Sequence, residues 1–258
     1  MDIYQLDAFS DQIFGGNPAA VCPLDEWIAD HLMQKIAAEN NLSETAFFVA
    51  RNDHFEIRWF TPTAEVDLCG HATLAAAHVI YNFTNYSNSK ITFSSKSGTL
   101  TTSKQGSLLI LDFPMQNPQS CEVPEAIQLA FEKPPVACLK HQDYILVYES
   151  EADIVKAAPD IQALLQLDLR GVCITAPGNA SDFVSRFFAP KYGIPEDPVT
   201  GSSFTQLTPY WSKRLGKTRL TATQVSARKG SIHCELSGDR VLIAGEVSLY
   251  MKGEIFTD

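Results

Sequence analysis

The chain has 258 residues, of which 45% are hydrophobic and 19% charged, and its formal net charge at neutral pH is −10. This length can bury a sizeable core and fits one large domain or two of about 130 residues. The acidic balance, with no run of Lys or Arg, argues against nucleic-acid binding, and no apolar run approaches the ~20 residues that cross a bilayer.

Apolar periodicity predicts the elements of the first half. A strand over 3–9 and a turn over 14–18 come first, and helical spacing then runs from Asp25, a candidate N-cap, to Ala38. Ala72–Tyr81 is a helix that is apolar on all sides, which predicts that a sheet curls around it. The other predicted strands of this half are 46–49, 55–61, 91–95, 99–103 and 108–113.

The second half shows the same alternation. Two helical segments, 151–157 and 161–167, precede a second central helix over Phe204–Leu215. The predicted strands are 137–141, 144–148, 171–175, 183–188, 218–225, 231–236, 240–244 and 248–252. The stretch 114–118 is typical of a linker, so we place the halves at 1–114 and 119–258 and allow the last strand to pack on the first half.

An internal repeat supports two related halves. Residues 58–62 (RWFTP) recur as 186–190 (RFFAP), and after three extra residues Glu65 matches Glu196 and Gly70 matches Gly201. A Gly between a strand and a helix lets a ligand approach the backbone, and the N–H groups of the first helical turn attract anions. We therefore expect an α/β fold of two pseudo-symmetric units, each a curled mixed sheet around a central helix, with a cleft between them.

The cysteines indicate neither disulfides nor metal binding. The six cysteines never come closer than seventeen residues, and no CxxC pair or zinc-ribbon spacing is present. Cys69 and His71 would point to different faces if both were helical, so we expect no metal site. The first residues carry no signal-peptide pattern, and we expect reduced thiols in a cytoplasmic protein without a membrane partner.

Three motifs carry a resemblance to a known family. The segments 41–48 (NLSETAFF), 67–73 (DLCGHAT) and 196–203 (EDPVTGSS) resemble the phenazine-biosynthesis PhzF-like family, whose fold is that of diaminopimelate epimerase. The match covers essentially the whole chain. The resemblance implies two pseudo-symmetric halves, no cofactor, no metal and a homodimer.

The resemblance also implies the acid/base residues. In this family the Glu of the NLSETAF segment, here Glu44, takes a proton from carbon and returns it at another position of a small conjugated carboxylate. That task requires a buried carboxyl group, which a position beside Phe47 and Phe48 would provide. Family precedent also places His71 and Asp197 at the site, with Asp197 holding His71 or moving the proton. Read without the family, Glu44 and Asp197 would be ordinary turn residues.

Substrate binding is assigned by the same resemblance. Gly70 and Gly201 would supply backbone donors, and Ser202 would anchor a substrate carboxylate at a helix start. Many relatives follow this Gly-Ser with a small residue and then His or Asn and Cys, whereas this chain continues as Ser203-Phe204-Thr205-Gln206. The substrate itself is therefore not predicted.

Epimerases of this fold use one thiol from each half, and this chain has only one of them. Cys69 stands at the first thiol position, but its partner in the repeat is Thr200, whose hydroxyl cannot replace a thiolate. The leading hypothesis is a cofactor-independent isomerase. The alternatives are a one-thiol epimerase or racemase that uses Cys69, and a non-catalytic protein that binds a small molecule or a partner.

Overall fold

The computed structural model describes residues 1–257, which form two compact units. The second unit is the continuous segment Pro114–Ile243. The first unit consists of Met1–Phe113 together with the chain from Ala244 onward. The sequence analysis placed the second half at 119–258 and allowed the last strand to pack on the first half. In the structure the last strand pairs with the first one.

Eighteen strands and six α-helices make up the described residues. The strands are β1 Asp2–Ala8, β2 Asn17–Leu24, β3 Glu44–Ala50, β4 Phe55–Phe60, β5 Glu65–Val66, β6 Lys90–Ser95, β7 Gly98–Gln105, β8 Leu108–Pro114, β9 Gln119–Ser120, β10 Ala137–Lys140, β11 Tyr144–Val147, β12 Val172–Pro177, β13 Phe183–Ala189, β14 Ile194–Asp197, β15 Arg219–Gln224, β16 Gly230–Ser237, β17 Arg240–Gly245 and β18 Val247–Glu254. The helices are α1 Asp30–Asn40, α2 Gly70–Phe83, α3 Glu125–Ala130, α4 Glu151–Lys156, α5 Ile161–Leu164 and α6 Phe204–Leu215. Short 3-10 turns span Pro190–Tyr192 and Gly201–Ser203.

The two units repeat one pattern of strand pairing. In the first unit β1–β2 is antiparallel, β2–β3 parallel, β3–β4 antiparallel, β4–β6 parallel and β6–β7 antiparallel. In the second unit β10–β11 is antiparallel, β11–β12 parallel, β12–β13 antiparallel, β13–β15 parallel and β15–β16 antiparallel. The short strands β5 and β14 pair antiparallel with β4 and β13. The predicted fold class, a mixed α/β fold of two pseudo-symmetric halves, is confirmed.

The repeat extends to one ion pair in each unit. Arg58 on β4 forms a double contact with Glu65, with Nε to Oε1 at 2.7 Å, and lies over the Phe60 ring. Arg186 on β13 forms the same double contact with Glu196, also at 2.7 Å, and lies over the Phe188 ring. Bidentate Arg–carboxylate pairs fix geometry as well as charge, so each pair clamps the short strand before a central helix.

The central helices follow the predictions closely. α2 extends the predicted helix by two residues at each end, and it packs against β1, β2 and β3 with nine buried residues. α6 has the predicted bounds and packs against β15 and β16. Pro209 lies inside α6 and has no N–H to donate to Thr205 four residues earlier. The Thr205 carbonyl instead accepts a hydrogen bond from the Gln116 backbone at 3.1 Å.

Other helix boundaries differ from the predictions. α1 begins at Asp30, so Asp25 is not its N-cap, and the segment before it is irregular. The helix ends where Asn41 adopts the left-handed conformation, which Asn tolerates. Helix α3 was not predicted, because six residues are too few for a clear period. Among the described residues no helix combines the length and apolar character that a membrane span needs.

Candidate active site

The first candidate site lies where β3 and α2 begin. Glu44 is the first residue of β3, which runs parallel to β2 with Ala19 opposite Glu44. Gly70 and His71 are the first residues of α2. Parallel pairing buries β3 on both faces, and α2 is buried as well, so the side chains of Glu44 and His71 are only 11% and 7% exposed.

Glu44 and His71 are in direct contact. Glu44 Oε2 lies 3.0 Å from His71 Nε2. The two atoms are close enough to form an ion pair, but Oε2 accepts no well-aligned hydrogen bond from any described residue. A buried carboxylate oxygen without a full set of partners is costly in a purely structural role, which makes Glu44 a candidate for chemistry.

Cys69 completes this cluster. It is the residue before α2 and has an extended backbone, with φ −144°, so its side chain does not follow the helical direction. Its Sγ lies 3.5 Å from His71 Nδ1. The sequence-based inference that Cys69 and His71 point apart was therefore wrong, because only His71 is helical.

The protonation states follow from burial and from the Glu44 charge. Burial, and then the negative charge of Glu44, raise the pKa of the Cys69 thiol to about 11, so it stays protonated at neutral pH. Burial alone would lower the pKa of His71, but the neighbouring Cys69 and Glu44 raise it well above its usual range. Because the thiol is uncharged at neutral pH, Glu44 is the group that keeps the proton on His71.

The same three residues could together hold a cation. One ligand atom from each of Glu44, Cys69 and His71 lies within 4.8 Å of the others. A thiol must lose its proton to bind zinc, and burial of Cys69 opposes that loss. The expectation of no metal stays a prediction.

The second candidate site is the turn in front of α6. Asp197 ends β14, and its Oδ2 accepts a hydrogen bond from Thr200 Oγ1 at 2.6 Å. Gln224 ties this turn to β15, because its Oε1 accepts from the Thr200 backbone and its Nε2 donates to the Asp197 carbonyl. Gly201 and Ser202 follow as the first residues of the 3-10 turn that leads into α6. A direct role of Asp197 toward His71 stays a prediction.

Sequence reasoning missed one residue at this second turn. Arg170 Nη1 donates a hydrogen bond to Ser202 Oγ at 2.9 Å. Arg170 precedes β12 in a loop, where no periodicity or motif marks it. Arg170 pairs with Asp143, and the sequence alone could not predict this contact because it depends on the fold.

The structure therefore places the predicted residues in two groups, one in each unit. Glu44, Gly70 and His71 lie in the first unit, together with Cys69. Asp197, Gly201 and Ser202 lie in the second unit. In each group the Gly lies at the turn before a central helix, as the internal repeat predicted, whereas Glu44 lies at the start of β3.

Duplicated units with this strand pairing, each with a buried helix behind a Gly turn, form the epimerase-like fold. A solved hydroxyproline epimerase from Agrobacterium vitis has this fold, with a TM-score of 0.60 over 98% of this chain and 91% of its own at 8% identity. The family model described as phenazine biosynthesis-like protein matches residues 6–253. The chain belongs to this PhzC–PhzF family, as the three motifs indicated.

Similar proteins cover the chain almost completely. An uncharacterized isomerase from Pseudomonas aeruginosa is 49% identical, over 99% of this chain and 98% of its own length. The crystal structure of a PhzF-family phenazine biosynthesis protein from Enterococcus faecalis has a TM-score of 0.97 at 44% identity, with 99% of both chains covered. These relatives support the isomerase class.

Proposed function

We propose that this protein is a cofactor-independent isomerase that moves a proton between carbon atoms of a small carboxylate-bearing metabolite, with Glu44 as the general acid/base. The observation that carries the proposal is the buried contact of Glu44 Oε2 with His71 Nε2 at 3.0 Å. The same oxygen accepts no well-aligned hydrogen bond within the described residues, which supports a role in proton transfer.

Proton transfer then needs no outside electron donor or acceptor. The Glu44 carboxylate accepts a proton from a substrate C–H bond, and the bonding electrons shift into the conjugated system toward the substrate carboxylate. The neutral Glu44 acid returns the proton to a different carbon while the electrons shift back. The protonated His71 holds the Glu44 carboxylate in one orientation, which is the usual task of the partner of a catalytic base.

The other predicted residues have supporting roles in this proposal. The backbone N–H groups of Gly70 and Gly201, at helix starts, suit oxyanions and carboxylates. Ser202 contributes a hydroxyl beside Gly201, and Asp197 holds that turn through Thr200. The family resemblance also leads us to propose that the protein forms a homodimer and is located in the cytoplasm.

A deuterium-exchange screen tests the proposal. The protein is incubated in D₂O with a panel of small cyclic and amino-acid-like carboxylates, and incorporation is followed by NMR and mass spectrometry. Glu44→Gln is expected to lower the exchange rate by about 10²–10⁴-fold, the usual contribution of a positioned acid/base group. Glu39→Gln, which neutralises an exposed carboxylate in the same unit, is the matched control and is expected to exchange normally.

Two results would contradict the assignment. Undiminished exchange by a folded Glu44→Gln variant would remove Glu44 from the mechanism. Absence of exchange by wild-type protein over the whole panel would favour the non-catalytic binding protein.

One observation favours the one-thiol epimerase as the second candidate. Cys69 Sγ touches His71 Nδ1 at 3.5 Å, a contact through which the protonated His71 would stabilise a Cys69 thiolate. The high pKa of this thiol disfavours the candidate. Cys69→Ala is expected to keep its exchange activity, and complete loss of exchange in that variant would reverse the order of the two candidates.

A further inference from the structure

A buried acidic residue organises the loops beside the second turn. Asp143 is 0% exposed and stands directly before β11, and Arg170 stands two residues before β12. Because β11 and β12 are parallel, with Tyr144 opposite Val172, both residues lie at the same end of the sheet. Arg170 Nε and Nη2 bind the two carboxylate oxygens of Asp143 at 2.8 and 2.6 Å.

Gln206 connects this ion pair to α6. Its Nε2 donates to Asp143 Oδ2 at 2.7 Å, and its Oε1 accepts from the backbone N–H groups of Gln142 and Asp143. Every polar atom of the buried carboxylate and of the amide therefore has a partner. A fully satisfied buried network is rigid, so the orientation of the Arg170 guanidinium is set by Asp143 and Gln206.

The guanidinium keeps donors for a ligand. Arginine has five N–H donors, and within residues 1–257 three of them are used, two by Asp143 and one by Ser202 Oγ. The side chain lies over the Phe187 ring and stays 25% exposed. Two N–H donors thus remain on a charged, oriented and solvent-accessible group.

The contact with Arg170 also determines what Ser202 can do. A hydroxyl has one proton to donate, and the Ser202 oxygen already accepts from Arg170. The Ser202 hydroxyl donates to no described residue, so its proton is available to an external acceptor. Asp197, an acidic residue of the same turn, accepts a hydrogen bond from Thr200 Oγ1.

Arg186 shows the contrast within the same unit. It also pairs with a carboxylate and stacks on a phenylalanine, but its Nη1 donates to the carbonyls of Ile154 and Ala157. Four of its five donors are used, and its side chain is only 13% exposed. Arg186 is therefore closed off by the fold, and Arg170 is open to a ligand.

We propose that Arg170 is a positioning and specificity-determining residue, which orients the Ser202 hydroxyl and adds charged donors so that this turn binds a carboxylate of the ligand. The proposal rests on the proposed function, for which Ser202 is a substrate-binding residue. Arg170 lies outside the family motifs, and its positive charge with two unused N–H donors is the physical reason for the preference for an anion. Asp143 and Gln206 act only through Arg170.

The test measures binding and requires no turnover. Isothermal titration with benzoate and with its neutral isostere benzamide compares wild type with Arg170→Gln, Arg170→Lys and Ser202→Ala. Wild type is expected to prefer benzoate by about tenfold or more, the contribution of a hydrogen bond to a charged group. Arg170→Gln is expected to lose this preference, and Arg170→Lys, which keeps the charge but not the fork of donors, is expected to retain part of it.

A double-mutant cycle separates positioning from general damage to the fold. If Arg170 acts through Ser202, the losses in Arg170→Gln and Ser202→Ala overlap, and the double variant loses less than the product of the two. Arg219→Gln, which changes an exposed arginine of the same unit, is the matched control and is expected to keep the benzoate preference. Because Arg170→Gln leaves Asp143 unpaired, the pair variant Asp143→Asn with Arg170→Gln, which removes both buried charges, provides a second test.

Two outcomes would overturn the proposal. One is a wild-type protein that does not bind benzoate in preference to benzamide. The other is a folded Arg170→Gln variant, or the charge-free pair variant, with an unchanged preference. Either result leaves the exchange experiment with Glu44→Gln untouched, so this inference and the proposed function can fail separately.

Discussion

The two units share a framework and differ at the turn that the framework supports. In both, an Arg on the long strand clamps a Glu of the short strand and stacks on a Phe, and a Gly then opens the central helix. The residues around that Gly are Cys69 and His71 in one unit and Thr200 and Ser202 in the other. The duplicated chain has therefore kept its architecture while the two turns acquired different chemistry.

In the proposed mechanism this difference assigns acid/base work to the first turn and anion binding to the second. The first turn faces a buried carboxylate and has a histidine that keeps its proton. The second turn has a hydroxyl bonded to an arginine that retains free donors. A mechanism with two equivalent thiols does not fit this pair of turns, since Thr200 matches Cys69 and is bonded to Asp197.

The largest effect is expected from breaking the shared framework. Arg186→Met would leave Glu196 and the Ala157 carbonyl without their donor, and the Ile154 carbonyl would keep only the Ala157 N–H. After Arg58→Met, by contrast, the Glu65 carboxylate keeps Lys96 as a partner. We expect Arg186→Met to lower the free energy of unfolding by about 3–5 kcal/mol and Arg58→Met to lower it less. Urea unfolding followed by circular dichroism measures both.

The control for this comparison is an ion pair on the surface. Arg219 pairs with Glu235 on exposed strands, and Arg219→Met is expected to change stability little. Equal losses for Arg58→Met and Arg186→Met would show that the carbonyl contacts of Arg186 do not matter.

A second, smaller effect tests whether the first turn has a usable thiolate. With a pKa of about 11 against the ordinary 9.0, Cys69 has on the order of a hundredfold less thiolate at neutral pH than an unhindered cysteine. Iodoacetamide is therefore expected to modify Cys69 about a hundred times more slowly in folded protein than in urea. Peptide mass spectrometry over a time course at pH 7 measures the ratio, and equally fast labelling in both states would contradict the assigned protonation.

The smallest effect concerns the pH dependence of the two turns. The folded-state pKa of His71 is raised above its ordinary value of 6.5. Below pH 6.5 the imidazole is protonated in folded and unfolded chains alike, so its contribution to stability is fully present. Above that pH the unfolded chain loses the proton first. Between pH 6.5 and the folded-state pKa, the contribution of His71 to the free energy of unfolding therefore decreases by at most about 1.4 kcal/mol per pH unit.

Two variants measure this effect. The stability difference between wild type and His71→Gln is expected to shrink from pH 6 to pH 9. Ser202→Ala removes a group that does not titrate, so its difference from wild type is expected to stay constant. Parallel behaviour of the two variants would show that His71 keeps no extra proton in the folded protein.

Local and repeated patterns predicted most of the fold. The Arg-aromatic-Phe repeat located both central helices, and the bounds of α6 were correct to the residue because its apolar spacing is regular. The start of α1 was wrong because Asp25 looks like a cap but is separated from the helix by irregular residues. Patterns of neighbouring residues cannot show where the tertiary structure begins a helix.

The site was predictable only in part for a similar reason. The family motifs named Glu44 and His71, but their contact joins the start of a strand to the start of a helix and follows from the fold alone. Arg170 carries no motif, and its significance comes from Asp143 and Gln206, which are distant in sequence. Residues whose role depends on long-range partners leave no periodic signal.

The return of the last strand to the first unit has a consequence for synthesis. β1 leaves the ribosome well before β18, which pairs with it from Asp2 opposite Glu254 to Ala8 opposite Val247. At 5–20 residues per second the nascent chain spends roughly ten to fifty seconds with that edge of β1 uncovered. The second unit is one continuous segment and has no such delay. It can therefore complete its fold before the first unit, although most of the first unit precedes it in the sequence.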